Sequence, residues 1–295
     1  MLVNMNEVLK KANDNGYAVG AFNVTNLEGV QAVVEAAEEM NQAVIMEFAN
    51  AAHGPLIALE HIGPIMVQYA KQSSVPICVH LDHGSSIEEC VRGIQLGFSS
   101  IMFDDSAAPF AENLKDTALM VRIAHYCGVT VEAELGNIHA SDIGVGEGTA
   151  NGTLAESYEN IAGMYTNPEV AQEFVEHTGV DTLAIAFGTA HGLYTVKPIL
   201  DLERIKAVHA KVSVPLVMHG GSGLSDDEYR TAIHHGIRKI NYYTYMSLYA
   251  GKVVKDAMDQ QADDAHIFFH DISRMGKNAM KEDIKRVIKV FSLGG

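Results

Sequence analysis

The stretch VPICVHLDHGSSIEECVRGIQLGFSSIMF, residues 75–103, decides the architecture. It opens on a short apolar run at 75–80, passes through a polar turn into a segment of helical periodicity at 86–96, and returns to a second apolar run at 99–103. Short runs that are apolar on both faces are what a strand in a covered parallel sheet requires. The same unit recurs along the chain. Strands are expected at 17–23, 43–48, 75–80, 99–103, 129–134, 182–186, 214–219 and 237–241. Helices are expected between them at 27–40, 61–72, 86–96, 109–127, 168–178, 201–211 and 225–235. Eight βα units in 295 residues predict an α/β fold of the (β/α)8 TIM-barrel type rather than an open sheet. A doubly wound sheet would normally carry a Gly-rich dinucleotide loop after its first strand, and GAFNVTNLEG at 20–29 does not fit that pattern.

Composition limits what such a barrel can do. Apolar residues make up 47% of the chain, enough for a large core. The net charge of -16 argues against a nucleic-acid surface, which needs clustered Lys and Arg. An anionic ligand must then be held by backbone amides, dipoles or a metal. Cys78, Cys90 and Cys127 form no CxxC pair, so neither a disulfide framework nor a cysteine metal site is expected, and a reducing cytoplasm is the natural setting. No signal-peptide pattern opens the chain, and no apolar run approaches the ~20 residues needed to span a membrane. There is no linker, repeat or low-complexity tract. The expectation is one barrel domain over 1–295, with a helical C-terminal tail from Gly251 that packs on the barrel or on a neighbouring subunit. The long polar stretch 136–166 reads as a functional or disordered loop.

In a barrel of this kind the chemistry sits at the C-terminal ends of the strands. There the sequence delivers His80, Asp82 and His83, then Asp104, then Glu132 and Glu134, then His191, His219 and Asn241. His83, His191 and His219 each precede a glycine. Three imidazoles from different strands with an open fourth position are a standard catalytic zinc arrangement. One such histidine alone is more simply a hydrogen-bonded polar residue; three at equivalent places favour the metal. Glycine-rich turns after the sixth and seventh strands, GTAHG and HGGSG, let backbone amides approach an anion, with Ser222 and Thr244 as hydroxyl donors.

The segments GAFNVTNLEGV, VHLDHG, IMFDDSAAPFAEN, VEAELG, MYTNPEVAQEFVEHTGVDTLAIAFGTAHGLY, VPLVMHGGSGLSD and GIRKINYYT, in this order, resemble the class II metal-dependent ketose-bisphosphate aldolases over nearly the whole chain. The resemblance implies cleavage of a phosphorylated ketose into dihydroxyacetone phosphate and an aldehyde. It implies His83, His191 and His219 as zinc ligands, Asp82 as acid/base, and Asp104 and Glu134 at an alternative or second metal site. It further implies Gly192, Gly220 and Ser222 on the phosphate and a monovalent cation (Na+ or K+), Asn241 on the dihydroxyacetone portion, and Thr244 on the phosphate. Fructose 1,6-bisphosphate is the default substrate by family, with tagatose 1,6-bisphosphate or another ketose 1-phosphate as options. Glycolysis or related carbohydrate metabolism, and a homodimer or homotetramer, follow on the same basis. The chemistry asks independently for these residue types: a carboxylate beside a cation takes the hydroxyl proton, and a Lewis acid spreads the charge left on the other fragment. A Schiff-base lysine is the rival chemistry. No lysine ends an expected strand, and Lys197 lies further along its loop. A zinc barrel hydrolase and a non-catalytic sugar-phosphate binder are the competing readings; the phosphate-binding turns oppose the first and intact Asp82 with its histidines opposes the second.

Departures from the family pattern gather where the aldehyde would be read. The loop after the fifth strand, LGNIHASDIGVGEGTANG, lacks the usual second glycine pair, and Glu147 is the candidate for the carboxylate that loop supplies. Asp105 replaces a common glycine. Tyr243 and Tyr245 stand where small or acidic residues are frequent, and Glu47-Phe48-Ala49-Asn50 lacks the usual Gln and Ser. No arginine is evident for a second phosphate; Arg274, acting across subunits, is the candidate.

Overall fold

The computed structural model describes residues 1–136, 138, 165–194, 197–261 and 266–294. Its strands are β1 (Leu2–Val3), β2 (Val19–Asn23), β3 (Val44–Ala49), β4 (Ile77–Gly84), β5 (Ser100–Phe103), β6 (Thr130–Leu135), β7 (Thr182–Ile185), β8 (Leu216–Met218) and β9 (Ile237–Asn241). From β2 to β9 each strand pairs in parallel with the next, and β9 pairs back onto β2, which closes the eight-stranded (β/α)8 barrel. The short β1 pairs with Ile77 and Cys78 of β4, just before β5 joins that strand.

The helices are α1 (Met5–Asn15), α2 (Leu27–Met40), α3 (Asn50–His53), α4 (Leu59–Gln72), α5 (Ile87–Leu96), α6 (Phe110–Tyr126), α7 (Pro168–Thr178), α8 (Leu202–His209), α9 (Asp226–His235), α10 (Thr244–Asp259) and α11 (Phe269–Phe291). Their ends follow local chemistry. The Asn26 side chain accepts the Gly29 N–H to open α2, and Asn41 closes it in the left-handed region at φ 50°. Ser86 caps α5, and Gly97 ends it at φ 94°. The helices expected at 27–40 and 168–178 are found with those bounds. The expected C-terminal tail is two helices, and it begins earlier than Gly251, at Thr244. The second of them, α11, lies on the barrel: Lys277 pairs with Glu35 of α2, and Lys281 and Lys285 with Glu39.

No element is expected from the sequence before residue 17, yet β1 and α1 are there. The signal was present: Asn4 and Glu7 form a capping box, and Met5, Val8, Leu9 and Ala12 recur at helical spacing. That face is buried against Val19, Ala21, Ile45 and Cys78, the inward residues at the start of the barrel strands. Burying Met5, Val8 and Leu9 is worth about 1.5–3 kcal/mol each. Thus α1 covers the N-terminal end of the barrel interior.

Because side chains alternate along a strand, the interior is built in layers. Apolar residues fill the first. Glu47, His80, Glu132 and Lys239 fill the second, all 0% exposed. Asn23, Asp82, Glu134 and Asn241 stand above them at the C-terminal rim. The strands are therefore not apolar on both faces, as their composition suggested; the inner face turns polar halfway up, and its charges are paired with one another.

Candidate active site

Alternation alone would turn His83 outward, because Asp82 points in. The backbone prevents this. The β4–β5 register shifts between Leu81 and Gly84, and His83 sits at φ 49°, in the left-handed region that costs a non-glycine residue. Both Asp82 and His83 thereby reach the rim. Gly84 allows the bulge, since a Cβ there would lie 2.6 Å from Cys90 Sγ and from the Met102 carbonyl. The motif His-Leu-Asp-His-Gly is thus a local solution for placing two consecutive side chains inside.

His83, His191 and His219 converge. Nε2 of His83 lies 3.3 Å from Nε2 of His191 and 3.0 Å from Nδ1 of His219. Imidazole nitrogens bound tetrahedrally to one zinc at 2.0–2.1 Å lie about 3.3 Å apart. The other ring nitrogens are engaged in ways that set the tautomers. Nδ1–H of His83 donates to Asp104 (2.7 Å) and Nε2–H of His219 to Glu132 (2.9 Å). In the neutral imidazoles, Nε2 of His83 and Nδ1 of His219 then turn their lone pairs toward the common centre, as a metal needs. Asp104 also accepts from the N–H and hydroxyl of Ser106, so both its oxygens are occupied. Glu134 lies on the same side, with Oε2 3.8 Å from His219 Nδ1 and without a hydrogen-bond partner among the described residues. Burial, followed by the charge of Asp104, pushes its carboxyl up to about 8, although His83 opposes this. His83, by contrast, is held well above the usual imidazole range despite its burial, by Asp82, Asp104 and Glu134. Three converging imidazole nitrogens beside a buried carboxylate oxygen with no hydrogen bond, with Asp82 and Asp104 nearby, fit a divalent cation, which would replace the proton those carboxylates otherwise hold on His83. His83, Asp104 and Glu134 form an overlapping second donor group.

Asp82 is fully buried beside this centre. Asn23 donates to it at 3.0 Å and Asn241 at 3.3 Å. Burial would raise its carboxyl, but the imidazoles of His83 and His219 and the ammonium of Lys239 hold it well below the usual range. It therefore remains a carboxylate. His80, expected in the layer behind, lies there: its Nδ1 is 2.9 Å from Ser100 Oγ, and burial with the charge of Lys239 pushes its imidazole down to about 3.

The glycine turns after β7 and β8 are tied together. Ser222 Oγ accepts the Tyr243 N–H at 3.0 Å, tying the loop after β8 to the loop after β9. The Tyr194 hydroxyl accepts from Ala190 N–H (2.9 Å) and donates to the Gly220 carbonyl (2.7 Å), bracing the loop after β7. Gly192 stands at φ 92° and Gly220 at φ 61°; a Cβ on Gly220 would come 2.4 Å from the Ala190 carbonyl. Thr244 opens α10, whose first N–H groups have no side-chain cap. The turns after β7 and β8 and the N-terminus of α10 thus lie together at the C-terminal ends of the strands.

Not every expected residue falls here. Glu147 lies outside the described residues. Arg274 is on the outer surface, paired with Asp271 at 2.7 Å. Lys197 pairs with Glu228 at 3.0 Å. Four contributors had no assigned role from sequence: Asn23, Glu47, Glu132 and Lys239. Lys239 contacts both oxygens of Glu132 (2.9 and 3.0 Å) and lies 3.4 Å from Glu47. Burial would lower its pKa, but Glu132, Glu47 and Asp82 raise it, so this buried lysine keeps its proton and is no Schiff-base nucleophile. The signal for Glu132 and Lys239 was parity, since each sits two residues before a rim residue on an alternating strand.

The chain was also compared whole with known proteins. The profile of the family described as "Fructose-bisphosphate aldolase class-II" matches residues 3–295. A fructose-bisphosphate aldolase of Staphylococcus epidermidis is 36% identical over 294 residues, 98% of this chain and 97% of that one. Among solved structures, the YdjI aldolase of Escherichia coli K12 superposes with a TM-score of 0.83 at 37% identity, over 100% of this chain and 99% of that one. The fructose-bisphosphate aldolase of Campylobacter jejuni shares the fold at a TM-score of 0.78 and 22% identity, covering 98% and 95% of the two chains.

Proposed function

This chain belongs to the class-II fructose-bisphosphate aldolase family, and from that premise we propose that His83, His191 and His219 hold a catalytic zinc, that Asp82 is the acid/base, and that Gly192, Gly220, Ser222, Asn241 and Thr244 bind the dihydroxyacetone phosphate portion. The protein is an aldolase acting on a phosphorylated ketose with a divalent metal, which displaces the hydrolase and sensor readings. The observation carrying the finer reading is the convergence of three imidazole nitrogens at 3.0 and 3.3 Å beside a buried carboxylate.

A bound zinc would supply Lewis-acid polarisation of the ketone and a positive charge for the developing enediolate. The chain's own groups do the rest. Asp82, kept ionised by its cationic neighbours, takes the proton from the hydroxyl on the carbon that becomes the aldehyde. That oxygen's electrons form the aldehyde C=O, the C–C bond breaks, and its electron pair stays on the dihydroxyacetone phosphate fragment. Protonation of that carbon releases dihydroxyacetone phosphate; Glu147 is our candidate donor. Asn23 and Asn241 fix Asp82 in place and leave its other lone pairs to the substrate. Asp104 and Glu134 offer the alternative metal position, and Gly192, Gly220 and Ser222 a site for Na+ or K+.

Chelation is expected to abolish release of dihydroxyacetone phosphate from a ketose 1-phosphate, and zinc to restore it at a single ion per chain. Release that persists in chelated, metal-free protein would sink the zinc reading. Gly220→Ala is expected to cost more than about 1 kcal/mol, since alanine is strained at positive φ, and to raise KM for the phosphorylated substrate. A urea midpoint and a KM both at wild-type values would remove Gly220 from the phosphate site.

The same reading includes self-association, a cytoplasmic setting and a place in glycolysis or a related sugar route. Phe268, Phe269, Leu248 and Tyr249 on or beside α10 and α11 are exposed, which supports a homodimer or homotetramer. No helix among the described residues is long and apolar enough to cross a membrane.

A further inference from the structure

Asp82 is tied to the charged layer beneath it through one amide. On β3, Glu47 and Ala49 share a face, with Glu47 paired in register with Asn23 of β2 and Ala49 with Asp82 of β4. The Asn23 side chain stands between the two carboxylates. Its Oδ1 accepts the Ala49 N–H at 2.9 Å, and a backbone N–H can only donate, so the amide has one orientation. Its Nδ2 then donates to Glu47 Oε1 at 3.1 Å and to Asp82 Oδ2 at 3.0 Å. Asn23, Glu47 and Asp82 are all fully buried. The amide is thus held from both of its ends.

The second oxygen of Glu47, Oε2, lies 3.4 Å from the Lys239 ammonium, which also binds both oxygens of Glu132. One buried cation therefore stands at the foot of two branches. One runs through Glu132 to His219, the other through Glu47 and Asn23 to Asp82. Glu47 gives one oxygen to each of its partners, and glutamine would have one oxygen for the two. With that oxygen kept toward the ammonium, the new NH2 faces the NH2 of Asn23, and two donors cannot pair. Turned the other way, an NH2 faces the ammonium, which costs more in a buried place. Asn23 then gives up one of its contacts, and the Asp82 carboxylate loses its fixed direction.

We propose that Glu47 is a positioning residue for proton transfer: it fixes the Asn23 amide and through it aims Asp82 at the substrate hydroxyl, independently of the three histidines. This rests on the reading of Asp82 as the acid/base, and the two are separable. Zinc-loaded Glu47→Gln is compared with wild type in its kcat for ketose 1-phosphate cleavage, in its exchange of the C3 hydrogen of dihydroxyacetone phosphate in D2O without aldehyde, and in its zinc dissociation constant. The kcat is expected to fall about 10–100-fold, the range a misplacement of about 1 Å produces, with exchange and zinc affinity at wild-type values. Asn23→Ala leaves Glu47 paired with Lys239 and should show the same selective loss, and the double variant should lose no more than Asn23→Ala alone. A wild-type kcat in Glu47→Gln with only a lower urea midpoint would make Glu47 a counter-charge for Lys239 and overturn the proposal. So would a joint decline of cleavage, exchange and zinc affinity, or losses that multiply in the double variant. Should Glu47→Gln not fold, Asn23→Ala decides: selective loss of cleavage supports the relay, and unchanged cleavage overturns it. Asp82→Asn tests the premise. If it cleaves at the wild-type rate, the acid/base reading falls and takes this proposal with it; if it loses cleavage and Glu47→Gln does not, the proposal falls alone.

Discussion

Asp82→Asn is expected to lower kcat for ketose 1-phosphate cleavage by about 10²–10⁴-fold, the usual worth of a positioned acid/base. The substitution keeps shape and burial but removes the basic oxygen. Asp82 touches no metal-facing nitrogen through a hydrogen bond, its amide partners being Asn23 and Asn241. Zinc content should therefore stay at the wild-type level, and exchange of the C3 hydrogen of dihydroxyacetone phosphate should survive, because that half-reaction does not use the aldehyde's proton. The alternative role is to orient the neighbouring His83. In that case zinc affinity, exchange and cleavage would all decline together in the asparagine variant. Loss of cleavage alone assigns the proton transfer to Asp82; joint loss would reduce it to a support for the ligand.

The barrel was legible because its signal is repeated. Each apolar run followed by a helical period adds to the same conclusion, so a boundary error of a residue or two, as at 214–219 against Leu216–Met218, does not change the topology. The convergence of His83, His191 and His219 was legible for a similar reason, since three His-Gly steps at strand ends reinforce one another. What stayed hidden depends on partners distant in sequence. Lys239 and Glu132 are 107 positions apart, and neither shows from its own neighbours that the other neutralises it. The inward turn of His83 depends on a register shift, which composition does not report. The first helix was hidden for a different reason. Its amphipathic pattern is plain, but it precedes the first βα unit and so stands outside the repeat that organises the rest.

Lys239→Met is expected to be among the most destabilising single changes in the interior. The lysine is fully buried, bound to both oxygens of Glu132 and 3.4 Å from Glu47. Removing it leaves two buried carboxylates without their cation, and breaking a buried pair in this way costs about 3–5 kcal/mol. The consequence should reach the rim. One of those carboxylates will take up a proton, and if Glu132 does, it holds the Nε2–H of His219 less strongly and the tautomer that presents Nδ1 is no longer enforced. Loss of such an outer partner typically weakens metal binding 10–100-fold. Lys239→Met should therefore show a lower urea midpoint and a raised zinc dissociation constant. The double variant Lys239→Met with Glu132→Gln separates the two effects. It removes one stranded charge, so stability should partly return, but the amide is a weaker acceptor for His219 and zinc affinity should stay low. If zinc affinity instead recovered fully with stability, the network beneath the histidines would be holding the fold alone, and His219 would be kept in its tautomer by the metal itself.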